Sequence, residues 1–194
     1  MARLRTGDKH KEILEAALTL FMRKGVANTS IKDISEVAKV AVGTVYLYFA
    51  DKDGVVAACA DRFAEEHLLE TTQLDLKKST KSEIRKYLLS RYRNWKRVSD
   101  GSPQAGELAQ AILRLRPEKM LEFEALFVQT LSRLIQNGIE QKHFKKQNPE
   151  DSARTLALSL AIFFPFPGRE SPRRFTEKEF LNSVNWFLEI GLTR

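Results

Sequence analysis

Cysteine is nearly absent from the sequence: its 194 residues include one, Cys59. A single thiol cannot close an intrachain disulfide. The three histidines, His10, His67 and His143, are scattered, so no zinc-type Cys/His cluster can be assembled. The fold must hold without covalent staples, and a reducing, cytoplasmic setting is expected. Long hydrophobic runs are missing too. The longest apolar stretch, Leu156 to Phe166, is broken by Ser159 and Pro165 and falls short of the roughly 20 residues that cross a bilayer. Asp8, Lys9, Lys11, Glu12 and Glu15 interrupt the N-terminal segment before it can form the apolar centre of a signal peptide, so no membrane segment is expected. Walker and Rossmann glycine patterns, HExxH and GxSxG are all lacking, and no enzyme activity, metal or cofactor is expected. Alternating Val/Ile/Thr runs joined by hairpin turns are not found, which leaves an all-α chain.

What is present reads almost throughout at helical period. Hydrophobic residues make up 43% of the chain, enough for a packed core, and the formal charge of +7 suits a polyanionic partner because phosphates release counterions to Lys and Arg. About nine helices are expected. The first runs over about 9–24, with Ile13, Leu14, Ala17, Leu18 and Phe21 inward and Gly25 as its left-handed stop. Ser30 and Asp33 form a short capping box for a second helix ending near Ala38, and a third covers about 42–48. Asp51 caps a fourth, whose stripe of Val55, Val56, Cys59, Phe63 and His67 makes Cys59 a buried structural thiol. Ser79 or Thr80 opens a fifth helix, with Ile84, Tyr87, Leu88, Tyr92 and Trp95 inward, and a sixth covers about 103–115. Pro117 opens a seventh that buries Leu121, Phe127, Leu131, Leu134 and Ile135 and stops at Gly138. Asn148 and Pro149 open an eighth, which reaches about Phe164. Thr176 and Glu179 box the ninth, which ends before Gly191.

Function is concentrated in TSIKDISEVAKVAVGTVYLYFADKDGVV, residues 29–56. It reads as a capped helix, a tight turn, a second short helix and another cap. That is what a helix-turn-helix needs: one helix crosses the DNA backbone while the next lies in the major groove. Ile31, Ile34, Ala38, Val40, Val45 and Phe49 form the inner faces, leaving Val42, Gly43, Thr44, Tyr46 and Tyr48 for DNA.

From LEAALTLF through Gly25 to GTVYLYFADKDGV, residues 10–56 resemble the DNA-binding domain of the TetR family. The resemblance implies an N-terminal three-helix DNA-binding domain over residues 1–52. A helical ligand-binding and dimerisation domain over 53–194 follows, and a homodimer that a small effector releases from its operator. It places Gly43, Thr44 and Tyr46 where family members touch bases and phosphates, Tyr48 on the backbone, and Lys52 against a phosphate. With Ser30 and the arm residues Arg3 and Arg5, which are suited to the minor groove, these complete the expected DNA-facing set. Three positions depart from the family pattern. Lys39 replaces a turn glycine and must adopt a left-handed conformation at some strain, and Ala41 replaces a capping Ser or Thr. Val42 replaces a polar residue and suits a thymine methyl better than a guanine.

In the second half, Arg91, Tyr92, Trp95, Phe123, Phe127 and Phe163 are candidates to line a pocket for a hydrophobic or amphipathic effector, with Arg114 or Gln129 as further head-group partners. The same aromatic residues equally fit a packed core. The last two helices each carry an apolar face, as in family members that pair them with a partner's to make a four-helix bundle. Two alternatives stay open: a constitutive or architectural DNA-binding protein without an effector, and a basic helical interaction module. The second is suggested by Lys77 to Arg97, which holds nine Lys/Arg against one Glu.

Overall fold

The computed structural model describes residues 6–72, 74, 81–99, 103–164 and 174–193. Arg3 and Arg5, the expected caps Ser79 and Thr80, and the proline-rich loop after Phe164 lie outside them. Among the described residues there are nine α-helices and no strand. They are α1 (Thr6–Lys24), α2 (Ile31–Val37), α3 (Val42–Tyr48), α4 (Lys52–Thr72), α5 (Lys81–Ser99), α6 (Pro103–Leu115), α7 (Glu118–Glu140), α8 (Pro149–Leu160) and α9 (Glu177–Trp186). A 3-10 turn (Ala161–Phe163) prolongs α8, and a π-helical segment (Phe187–Leu192) prolongs α9 past Gly191.

Local chemistry sets most of these boundaries. Gly25 sits at φ 87, and its amide closes α1 by donating to the Phe21 carbonyl at 3.0 Å. At the start of α2 the Asp33 amide donates to Ser30 Oγ at 3.1 Å while the Ser30 amide donates to Asp33 Oδ2 at 2.7 Å, which completes the expected box. Asp51 Oδ1 accepts from the Gly54 amide at 2.7 Å, Asn148 Oδ1 from Glu150 and Asp151, and Thr176 Oγ1 from Glu179.

The packing divides into two cores. The first joins Ile13, Ala17, Leu20 and Phe21 of α1 to Ile34 of α2, Val45 of α3 and Val55, Val56 and Cys59 of α4, together with Leu108 and Ile112 of α6. It thus extends past residue 52 and draws on a helix from the second half. In the second core, α5, α7, α8 and α9 contribute Ile84, Leu88, Leu131, Leu134, Ile135, Leu156 and Phe180, and the π-helical segment contributes Leu188. Full burial of each such aliphatic side chain contributes about 1.5–3 kcal/mol.

Two expectations for α7 are corrected. Leu121 is 70% exposed rather than buried, because the first turns of α7 project beyond the core. Gly138 does not stop the helix, which runs on to Glu140; the left-handed residue is Lys142, at φ 60. Gly138 instead lets the Phe144 ring close onto the helix, since a Cβ there would overlap that ring.

Candidate nucleic-acid interface and sensor half

Between α2 and α3 the backbone turns within a few residues. Lys39 occupies the left-handed region at φ 54, as its place in the motif requires, and the Val40 amide donates to the Ser35 carbonyl at 3.0 Å. Ala41 precedes α3 without a side-chain cap bond. Val45 and Phe49 are buried, and around the rest of α3 Val42 is 40% exposed, Tyr46 53% and Leu47, on the side opposite Val45, 83%. A Cβ added to Gly43 would meet nothing within 4 Å, so the backbone itself lies open there. Thr44 is half-buried.

Ser30, Tyr48 and Lys52, the other described residues of the expected DNA-facing set, have intramolecular partners. Tyr48 is half-buried against the first core, its ring edge-on to His10 with centroids 6.1 Å apart. Ser30 Oγ, besides accepting from Asp33, donates to Asp33 Oδ2 at 2.6 Å, so its hydroxyl belongs to the cap. Lys52 Nζ donates to the Val26 carbonyl at 2.8 Å and ties α4 to the α1–α2 loop; an ammonium has three donors, so this bond does not exhaust it. Leu47 was missed in the sequence reading, although it follows Gly43 by one turn and so shares its face.

Asp33 and Cys59 have displaced acidities. Asp33 is held well below the usual carboxylate range, chiefly by the Ser30 hydroxyl, then by the Ser30 amide and Lys24. Burial pushes the Cys59 thiol up to about 12, which keeps it protonated and unreactive.

Helix α6 reaches from the second half into this unit. Glu107 Oε1 accepts from the Ala27 amide at 2.6 Å, and its other oxygen occupies the space a side chain at Gly25 would need. Below it, Asp61 of α4 pairs with Lys119 at 3.0 Å and Arg116 at 3.3 Å around the α6–α7 turn. Burial favours the neutral Asp61 carboxyl, but these two cations together outweigh it and the pKa ends below its usual range.

The six expected effector residues are not all brought together. Tyr92 stacks on Phe180 at 4.3 Å and donates its hydroxyl to the Phe175 carbonyl at 2.8 Å, while Phe163 meets Phe175 and Phe180; both are buried core residues. Arg91 lies 5.3 Å over the Phe127 ring. Trp95, half-buried, faces Phe164 at 6.2 Å, and its indole Nε1 is shielded from solvent without an acceptor among the described residues. Phe123, one turn before Phe127 on α7, is half-exposed. Neither suggested head-group partner is enclosed: Arg114 pairs with Asp53 at 3.5 Å, and Gln129 is exposed.

Three basic residues of α5 are engaged by α9 and its extension. Lys81 pairs with Glu189 at 2.6 Å, Arg85 donates to Asn185 at 2.7 Å, and Arg93 grips Glu177 through two bonds of 2.9 and 2.7 Å. Each member of the last pair holds the other in its charged form.

Comparison with known proteins gives this architecture a family. Residues 13–59 match the model of the bacterial regulatory proteins of the tetR family. The HTH-type transcriptional regulator YfiR of Bacillus subtilis (strain 168) is 32% identical over 155 residues, which span 78% of this chain and 76% of YfiR. The chain belongs to the TetR family. As a TetR-family transcriptional regulator it carries a helix-turn-helix DNA-binding domain, in which α2 and α3 are the paired helices. Its fold is shared with a transcriptional regulator from Cytophaga hutchinsonii ATCC 33406, at TM-score 0.74 with 20% identity over 95% of this chain and 98% of that one. SmeT, the repressor of the Stenotrophomonas maltophilia multidrug efflux pump SmeDEF, has the fold at TM-score 0.56, with 22% identity over 79% of this chain and 76% of that one. A SmeT–triclosan complex matches at TM-score 0.55, with 21% identity over 80% of this chain and 78% of that one. Among the described residues of this TetR-family chain, no helix is long and apolar enough to cross a membrane.

Proposed function

We propose that this TetR-family regulator is a homodimeric repressor that binds a palindromic operator and is released from it by a small hydrophobic or amphipathic effector. The observation that carries this reading is α6: it supplies Leu108 and Ile112 to the core of the DNA-binding unit and Glu107 to its α1–α2 loop. A ligand that moved α6 would therefore move the helices that support α3, by a more direct route than through α4 alone. Such a ligand acts only through its differential affinity for the two states, and a 100-fold loss of operator affinity corresponds to about 2.7 kcal/mol of coupling.

Val42, Gly43, Thr44 and Tyr46 are the proposed base-facing residues. Tyr48, Lys52 and the start of α2 at Ser30 would lie along the backbone, and Arg3 and Arg5 in the minor groove. For the effector, the α5–α7 side with Arg91, Trp95, Phe123 and Phe127 is the proposed site, Tyr92 and Phe163 being committed to the core. The bound triclosan of the SmeT relative fits an effector of this class. For the dimer, α8, α9 and their extensions expose Leu158, Ile162, Trp186 and Ile190, and Trp186 also lines a cleft of about 430 Å³ with Leu156, Ser159 and Asn182. Such an apolar surface suits burial against a second copy.

Selection from random duplex DNA at about 150 mM salt tests the reading. An enriched inverted repeat supports a two-fold reader and supplies the operator on which hydrophobic compounds are screened for release. Enrichment of no sequence would overturn it. The tight packing around Tyr92 favours a second reading, a constitutive regulator without an effector. It predicts the same inverted repeat and operator affinity that no compound changes.

A further inference from the structure

We infer that the recognition surface identifies thymine by its C5-methyl group, through Leu47 and Val42. This rests on the DNA-binding reading above and specifies its chemistry. Residues 40–50 contain no Lys, Arg, Asp, Glu, Asn, Gln or His. Those are the side chains that distinguish guanine, adenine and cytosine in the major groove, by bidentate bonds to purine edges or by accepting from the cytosine amino group. The hydroxyls of Thr44 and Tyr46 both donate and accept, and so discriminate little.

What α3 offers instead is apolar and contiguous. Gly43 and Leu47, one turn apart, form a row on the side opposite buried Val45, and Val42 and Tyr46, also one turn apart, form the row between it and the buried face. Leu47 is the most exposed large apolar side chain among the described residues. One exposed leucine needs no explanation, but this one lies beside Val42 and Tyr46 on the short helix that a helix-turn-helix places in the groove. Open space over Gly43 permits the backbone to approach a base edge closely. Lys32 of α2 and Lys39 of the turn are exposed, so the motif offers cations for phosphates while α3 itself is uncharged. The thymine methyl is the one apolar group that a base pair of ordinary DNA presents in the major groove, and it is the occupant this arrangement fits.

The test uses the full-length protein and the site it selects from random DNA. That duplex is resynthesised with deoxyuridine at each half-site thymine in turn, which deletes one methyl and leaves every hydrogen-bonding atom of the pair in place. At one or more positions per half-site, affinity is expected to fall about fourfold per methyl removed. Leu47→Ala and Val42→Ala are each expected to weaken the thymine operator and to bring the thymine-to-uridine ratio at their own position to one, as coupling in a double-mutant cycle requires. Equal binding of thymine and uridine operators at every position, or a ratio that survives both substitutions, would overturn the methyl readout and leave DNA binding standing. If no sequence is enriched, or the exposed strip retains a protein and no duplex, the helix-turn-helix reading and this inference fall together.

Discussion

Lys39 shows how one side chain in the wrong region of conformational space is tolerated. At φ 54 its Cβ crowds the following carbonyl, and the closed turn between α2 and α3 holds it there. Lys39→Gly removes that crowding but adds freedom to the unfolded chain, so a net gain of about 0.5 kcal/mol is expected in urea unfolding. A loss would mean that the lysine side chain itself stabilises the turn. Asp33 is the converse case, a residue that local geometry favours. With its folded pKa below the ordinary 3.8, its contribution is complete above about pH 4 and is lost as pH falls through the lower folded value. Asp33→Asn should therefore be less stable than the parent at pH 7, and the two urea midpoints should converge as pH drops below about 4. A difference independent of pH would assign the effect to the shape of the cap and not to its charge. For the neighbouring Ser30→Ala, loss of the cap costs about 1 kcal/mol.

At the scale of the element, α6 is the helix whose role its sequence conceals. Its boundaries were legible from Pro103 to Leu115, yet nothing in PQAGELAQAILRL says that Leu108 and Ile112 pack beside Phe21 and Val56. Glu107 reads as an ordinary surface acid until the fold brings it to the Ala27 amide, 80 positions away. Gly25 and Glu107 should consequently behave as a coupled pair. Gly25→Ala meets both the left-handed backbone and the carboxylate and is expected to destabilise by more than about 1 kcal/mol. Glu107→Ala leaves an amide unbonded near the surface and should cost about 1 kcal/mol. The double variant should lose less than the sum, because removing the carboxylate clears the space that the added methyl would need; additivity by urea unfolding would deny the contact. Helix α7 teaches the same lesson from the other side: its apolar stripe includes Leu121, but a stripe ends where its partner helices end, and Leu121 lies beyond them.

For the whole molecule, the second half packs consecutive helices α7 and α8 together and brings α5 against α9, remote in sequence. The basic run in α5 suggested a surface for another macromolecule, but Lys81, Arg85 and Arg93 are engaged by Glu189, Asn185 and Glu177 on α9 and its extension. The apolar outer face of α8 and α9 is the larger unpartnered feature. If it is the dimer surface, replacing both Trp186 and Ile190 by Glu should give a monomer in ultracentrifugation at micromolar concentration. Loss of the second recognition helix should lower operator affinity by about 100-fold, read by titration of labelled duplex. A dimer that persists with both substitutions would place the interface elsewhere.

What the sequence determined by itself were features closed within one or two turns of chain: the caps at Ser30, Asp51, Asn148 and Thr176, the left-handed Gly25, and the inward residues of α2 and α3. A cap or tight turn is satisfied by neighbours a few positions away, so residue identity and spacing carry the whole instruction. Only the tertiary structure decided what Gly138, Leu121, Tyr92 and Glu107 do, and which apolar stripes find partners inside the chain. An aromatic at helical spacing fits a core or a cavity equally well, and the difference lies in what the other helices bring. Tyr92 is core because Phe180 and the Phe175 carbonyl arrive from α9 and the segment before it. Leu47 stays exposed because no described element of its own chain covers that side of α3.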